Sequence, residues 1–222
     1  MLKYIIGIVE DDDSQTRDIR RTIKALKGDK TEVDFINYDF KDVEQDISYN
    51  LIKQILDDIN NEKIHSLIID YKLLTYKNCM NGADIIKTIK AMFYEFPMII
   101  LTQMPEQCIE ETDLDPDKVY EKSIFFNACC EESKKYVFNI FRNIDRYWEN
   151  VRNYTSKLET LRVQKNTDNQ DESDVLGRII DIEKELSRYK PIGHSEMNEI
   201  LSDEKLKQLS ELIEKAKDLA DD

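Results

Sequence analysis

Acids, a hydroxyl and an ammonium stand where short apolar, β-branched runs of this chain end. Ile5-Ile6-Gly7-Ile8-Val9 leads into Glu10-Asp11-Asp12-Asp13, Leu67-Ile68-Ile69 into Asp70, Ile99-Ile100-Leu101 into Thr102, and Val119-Tyr120-Glu121 into Lys122. Three carboxylates at one place repel one another unless a hard cation neutralises them, and Mg²⁺ binds such places through one or two carboxylates while keeping several waters. Screened in this way, Asp70 can act as a nucleophile towards phosphorus and form an acyl phosphate. Lys122 would then neutralise the phosphoryl oxygens, and Thr102 would donate a hydrogen bond to one of them. Asp12 and Asp13 read as capping acids of a following helix, where negative charge is favourable.

That chemistry requires the four run ends to meet, and the pattern of the chain supplies a way. Tyr4 to Val9, Val33 to Tyr38, His65 to Asp70, Met98 to Thr102 and Lys118 to Glu121 read as five strands. Between them apolar residues recur three and four apart: Ile19, Ile23 and Leu26; Ile47, Leu51, Ile55 and Ile59; Ile85, Ile86, Ile89 and Met92; a weaker helix runs from Pro105 to about Glu111. Strands apolar on nearly every residue belong in a parallel sheet covered on both faces. The alternation predicts a doubly wound α/β domain with a five-stranded parallel sheet, whose ligands bind beyond the carboxyl ends of the strands.

With those elements in place the first 127 residues resemble the response regulator receiver domain, the phosphoacceptor module of two-component signalling. Four spaced matches carry the resemblance: Ile8-Val9-Glu10-Asp11 for the acidic pair, Leu67-Ile68-Ile69-Asp70 for the phosphoacceptor, Ile100-Leu101-Thr102 for the switch hydroxyl, and Tyr120-Glu121-Lys122 for the lysine. Met80-Asn81-Gly82-Ala83-Asp84 is similar to the family's turn into its third helix. The resemblance implies a flavodoxin-like receiver fold. It also implies Mg²⁺ bound by Glu10, Asp11, Asp70 and the backbone carbonyl of Lys72, a phosphoryl group delivered from the phosphohistidine of a sensor histidine kinase, and a reset by hydrolysis at Asp70. Phosphorylation would draw Thr102 inward and alter the surface of the fourth helix, fifth strand and fifth helix. The chain departs from the family pattern at several places. The Asp70 to Gly82 spacing is about four residues longer than usual, by comparison with the family pattern. Leu74 and Ser123 replace prolines, Gln103 replaces a small residue, and Lys72 brings an ammonium beside the acids. The aromatic of the fifth strand is Tyr120, whereas the family places its switch aromatic one residue earlier, at Val119.

Beyond residue 127 the strand signal ends. Val137, Ile140, Ile144, Tyr147, Val151, Tyr154, Leu158 and Leu161 keep a 3,4 spacing, which predicts that the fifth helix continues outward to about Gln164 with a heptad seam. Asn166 to Ser173 reads as a loop, and Val175, Ile179, Ile182, Leu186 and Tyr189 mark a second helix stopping before Pro191. The seam fits either an antiparallel hairpin within the chain or a dimeric coiled coil, so a homodimer is one expectation. Ser202 reads as the cap of a last helix carrying Leu206, Leu209, Leu212, Ile213, Ala216 and Leu219. The division is therefore a receiver-like domain over 1–127 and a helical extension over 128–222.

Composition narrows the function further. With 41% hydrophobic and 35% charged residues, five Gly and four Pro, the chain is neither collagen-like nor largely disordered. Its net charge of −14 repels phosphate backbones and anionic lipid heads, and the extension itself carries 16 basic against 21 acidic residues. No helix-turn-helix and no catalytic output signature is recognisable, so the expected partners are a kinase and a protein bound by the helical region, with no nucleic acid and no membrane. No apolar run approaches a membrane span, and a cytoplasmic protein is expected. Cys79, Cys108, Cys129 and Cys130 contain no CxxC, Cys129-Cys130 is expected to pack in the first turn of the fifth helix, and His65 reads as structural. Two function classes remain: a phosphorylation switch at Asp70, or a constitutive scaffold on the same fold.

Overall fold

β-branched runs with a period suited to burial on both faces form the five strands. They are β1 (Leu2–Val9), β2 (Thr31–Asn37), β3 (Ser66–Asp70), β4 (Met98–Thr102) and β5 (Val119–Glu121). The computed structural model describes residues 2–38, 47–73, 82–111, 115–167 and 172–190. The strands lie in the order β2-β1-β3-β4-β5 and every pair is parallel. β3 and β4 are buried along their whole length, as strands covered on both faces must be. This is the doubly wound, flavodoxin-like architecture of receiver domains, followed by a helical extension.

The helices that cover the sheet are α1 (Asp13–Leu26), α2 (Ile47–Asn60), α3 (Gly82–Met92), α4 (Pro105–Glu111), a short α5 (Lys122–Phe125), α6 (Glu131–Thr167) and α7 (Glu172–Leu186). Ile19 and Ile23 of α1 pack with Val137, Ile140 and Ile144 of α6 on one face. On the other, Leu51, Ile55 and Ile59 of α2 meet Ile85, Ile86 and Ile89 of α3. Asp12 caps α1, accepting hydrogen bonds from the N–H groups of Ser14 (2.7 Å) and Gln15 (3.3 Å), the capping role its position suggests.

The extension departs from expectation in its start. The four-residue α5 turns the chain after β5, and the long helix begins only at Glu131. Cys129 and Cys130 therefore sit in the turn before it, exposed and half-buried respectively, instead of packing in its first turn. α6 is one uninterrupted helix of 37 residues. The first part of its seam, from Val137 to Val151, is buried against the α/β domain, and Leu158 and Leu161 pack on Val175 and Ile179 of α7. The heptad seam is thus used within the chain, first on the sheet and then in an antiparallel hairpin. Tyr147 is buried in it because Phe96, Trp148 and Tyr189 ring it and its hydroxyl donates to the Tyr189 carbonyl.

The turn after α7 returns to the sheet. Arg188 pairs with Glu95 at 2.6 Å, the Glu95 N–H donates to the Arg188 carbonyl at 3.0 Å, and Lys190 reaches Glu62 at 3.4 Å. Among the described residues no helix is long and apolar enough to cross a membrane. The expected last helix from Ser202, like Leu74 and Cys79, lies outside the described residues.

His65 has the structural role its position suggests. Its Nδ1 accepts the Ile5 N–H at 2.8 Å, and Trp148 and Tyr4 meet it edge-on. Burial pushes its pKa below the ordinary histidine value, with Glu62 opposing. The unfolded chain therefore binds a proton that the folded chain refuses, and stability is lost as pH falls through about 6.5. Comparison of urea unfolding at pH 7.5 and 5.5 in the wild type and in His65→Gln, which does not titrate, is expected to show the wild type losing stability relative to the variant as pH falls, whatever the acids contribute to both.

Candidate functional site

The parallel register assembles the site. Asp70 pairs with Leu101 and Thr102 with Glu121, so Asp70, Thr102 and Lys122 stand at the carboxyl edge of three neighbouring strands. β1, the other neighbour of β3, pairs Val9 with Ile69 and delivers Glu10 to the same edge. One oxygen from each of Glu10, Asp11 and Asp70 lies within 4.8 Å of the others, a spacing a single small cation can bridge.

Lys122 is the centre of the charge distribution. It is 4% exposed, and its ammonium donates to Asp70 Oδ1 (2.9 Å), Glu10 Oε2 (3.0 Å) and Gln15 Oε1 (2.5 Å). Three donors meet three acceptors, so the buried charge is fully satisfied. Glu10 also accepts the Asp12 N–H at 3.2 Å. Burial, then the Asp70 charge, push the Glu10 carboxyl up to about 7, with Lys122 opposing. Burial likewise raises Asp70 above the ordinary aspartate value, against the pull of Lys122. One lysine does not fully neutralise two buried acids and a third beside them, which is the electrostatic condition that favours a divalent cation.

The remaining site residues have defined places. Thr102 is buried and its Oγ1 accepts the Met104 N–H at 3.0 Å, which fixes the hydroxyl at the edge. The Lys72 N–H donates to Asp70 Oδ1 at 3.4 Å. The Lys72 ammonium contacts Met104 Sδ and Gln107 Oε1, both at 3.4 Å, and so is engaged with the start of α4. Gln103 is exposed.

β5 places its aromatic away from Thr102. Adjacent strand residues point to opposite faces, and Val119 joins the core under α2, α3 and α4 whereas Tyr120 joins the core under α1 and α6. There Tyr120 stacks on Tyr136 with ring centroids 4.1 Å apart and 6° between planes.

Gln15 is the site residue that sequence reasoning missed. The inward stripe of α1, followed back from Ile23 and Ile19 by four more residues, arrives at Gln15, and that extrapolation was the available signal. A residue at that point has to face the end of β1.

No protein-family model matches the chain, and no curated protein does. Among solved structures it is similar to the RcsB response regulator of Salmonella typhimurium, in a structure titled for its conformational dynamism for DNA interaction. The identity is 16% over 84% of this chain and 93% of that one, with a TM-score of 0.43. It is also similar to the bacteriophytochrome response regulator AtBRR, at 16% identity over 65% of this chain and 94% of that one, with a TM-score of 0.41. At these scores the likenesses carry no functional argument. The fold rests on the strand order and the parallel register.

Proposed function

We propose that this chain is a phosphoacceptor switch of the receiver type. The observation that carries the reading is the buried edge where Glu10, Asp11 and Asp70 gather within bridging distance and Lys122 contacts two of them. Glu10, Asp11, Asp70 and the Lys72 carbonyl would hold Mg²⁺, which would supply charge neutralisation for the entering phosphoryl group. An Asp70 carboxylate oxygen forms the new bond to phosphorus as the phosphorus–nitrogen bond of a kinase phosphohistidine breaks, and the imidazole leaves. Lys122 holds the phosphoryl oxygens, and Thr102 gives up the Met104 N–H to donate to one of them. Water later cleaves the acyl phosphate and resets the site. Output runs through protein contacts of the helical region over 128–222, whose net negative charge disfavours DNA, in a cytoplasmic setting.

Incubation with acetyl phosphate and Mg²⁺ is expected to add one phosphoryl group by intact mass, and EDTA is expected to abolish the gain. A second reading, a constitutive scaffold on the same fold, is favoured by the placement of Tyr120 on the face away from Thr102. It is supported if no phosphate is gained and calorimetry detects no Mg²⁺ binding.

A further inference from the structure

At the edge of the sheet opposite Asp70, where β3 and β4 begin, a cavity of about 340 Å³ opens between the sheet and the middle of α6. Met98, Ile99, Ile140 and Tyr147 give it a buried apolar wall, and Tyr189, from the turn after α7, lines it as well. Lys118, Asn143 and Arg146 also face it, and none of their side chains has a hydrogen-bond or ion-pair partner among the described residues. Lys118 is half-buried and Arg146 exposed, so two cations stand at the cavity with water as their present partner and are available to an anion. The one lining acid, Glu95, is engaged by Arg188 at 2.6 Å. Lys118 is pressed further by Lys90, whose pKa falls below the ordinary lysine value through burial and then through the Lys118 charge, with Asp115 and Glu95 opposing. An anion in the cavity relieves that repulsion.

We propose that this cavity is a binding site for a small organic anion, a planar ring bearing a carboxylate or a phosphate. The ring lies against Ile140 and Tyr147, and the anionic group meets Lys118 and Arg146. The volume is in the range of small-molecule sites, and the mixture of apolar and aromatic side chains with Lys118, Asn143 and Arg146 suits an occupant with a ring and a charged group. Because Tyr189 lines the same cavity, an occupant touches the α/β domain and the end of the hairpin together. Occupancy therefore fastens the turn after α7 to the sheet, as an input separate from the chemistry at Asp70.

Calorimetric titration of the full chain with 2-naphthoate, with adenosine monophosphate and with inorganic phosphate tests the site. One of the two ring-bearing probes is expected to bind at one site per chain, the identity of the binder telling carboxylate from phosphate, and inorganic phosphate is expected to bind far more weakly. Arg146→Gln should weaken binding roughly tenfold or more, as loss of a charge-assisted contact does. Asn143→Trp, which fills the cavity from a half-exposed position, should abolish it with the helical circular dichroism unchanged. Amide exchange over residues 186–190 should slow when the probe is bound. Absence of binding by both ring-bearing probes, binding indifferent to both substitutions, or equal binding of inorganic phosphate overturns the proposal.

Discussion

Asp70→Asn is expected to remove phosphoryl uptake altogether and, in EDTA at neutral pH, to make the chain more stable. The amide keeps the shape of the carboxyl group but is no nucleophile, so intact mass after acetyl phosphate and Mg²⁺ should not change. The stability effect follows from the raised carboxyl pKa values at the site. A group whose folded pKa lies above its unfolded value contributes stability that is present below the unfolded pKa and lost as pH rises through the folded one. Glu10 thus makes the metal-free chain lose stability from about pH 4 up to about pH 7, and Asp70, raised as well, acts in the same direction. Asparagine removes one of the two acids and, with it, the charge that is the second cause of the Glu10 shift. The expected gain is roughly 1–2 kcal/mol at pH 7.5 and nothing near pH 4, read by urea unfolding in EDTA. Equal unfolding midpoints at pH 7.5 would mean that Lys122 already balances both acids.

Gly82→Ala should be the most damaging single methyl in the described part of the chain. A Cβ at Gly82 would lie 2.1 Å from the Asp70 carbonyl oxygen and 3.0 Å from its carbon, and both are backbone atoms that no rotamer change can move aside. The Gly82 N–H also donates to the Tyr71 carbonyl at 3.1 Å, so the start of α3 is held against the segment leaving β3. Overpacking of this kind costs about 1–3 kcal/mol where side chains can yield, and more where backbone must. Two measurements are expected to respond together. The urea midpoint falls, and phosphoryl uptake falls by at least about tenfold because Asp70 moves relative to Lys122. Unchanged uptake with lowered stability would show that the shift is absorbed by α3.

The strands and the acids at their ends were legible because both signals are local. Runs such as Met98-Ile99-Ile100-Leu101 state their burial in their own composition, and the residue closing each run is placed by the general geometry of parallel sheets. The contacts that tune the site were not legible. Lys122 meets Glu10 across 112 positions and Gln15 across 107, and no periodicity carries such pairings. The seam on α6 was legible as a seam, yet its partner was not, since the same spacing serves a sheet, a hairpin or a second chain. Tyr147 and Trp148 show the limit: poor residues for a narrow coiled coil, they fit because His65, Phe96 and Tyr189, from the segments just before β3, just before β4 and just after α7, surround them. Cys129 and Cys130 were misplaced because the short α5 takes up the chain between β5 and the long helix, and four residues leave too brief a pattern to detect.

The 37 residues of α6 extend over about 55 Å, and only the first part of the helix lies on the sheet. Residues 152–167 project about 24 Å beyond it, so a tilt of about 10° at the domain would carry the tip roughly 4 Å. α7 runs back beside that arm and is pinned at Glu95 and Glu62. The hairpin is thus a stayed mast: whatever tilts its foot is carried along the arm to its head, and the ion pairs of Arg188 with Glu95 and Lys190 with Glu62 are the stay that opposes the tilt.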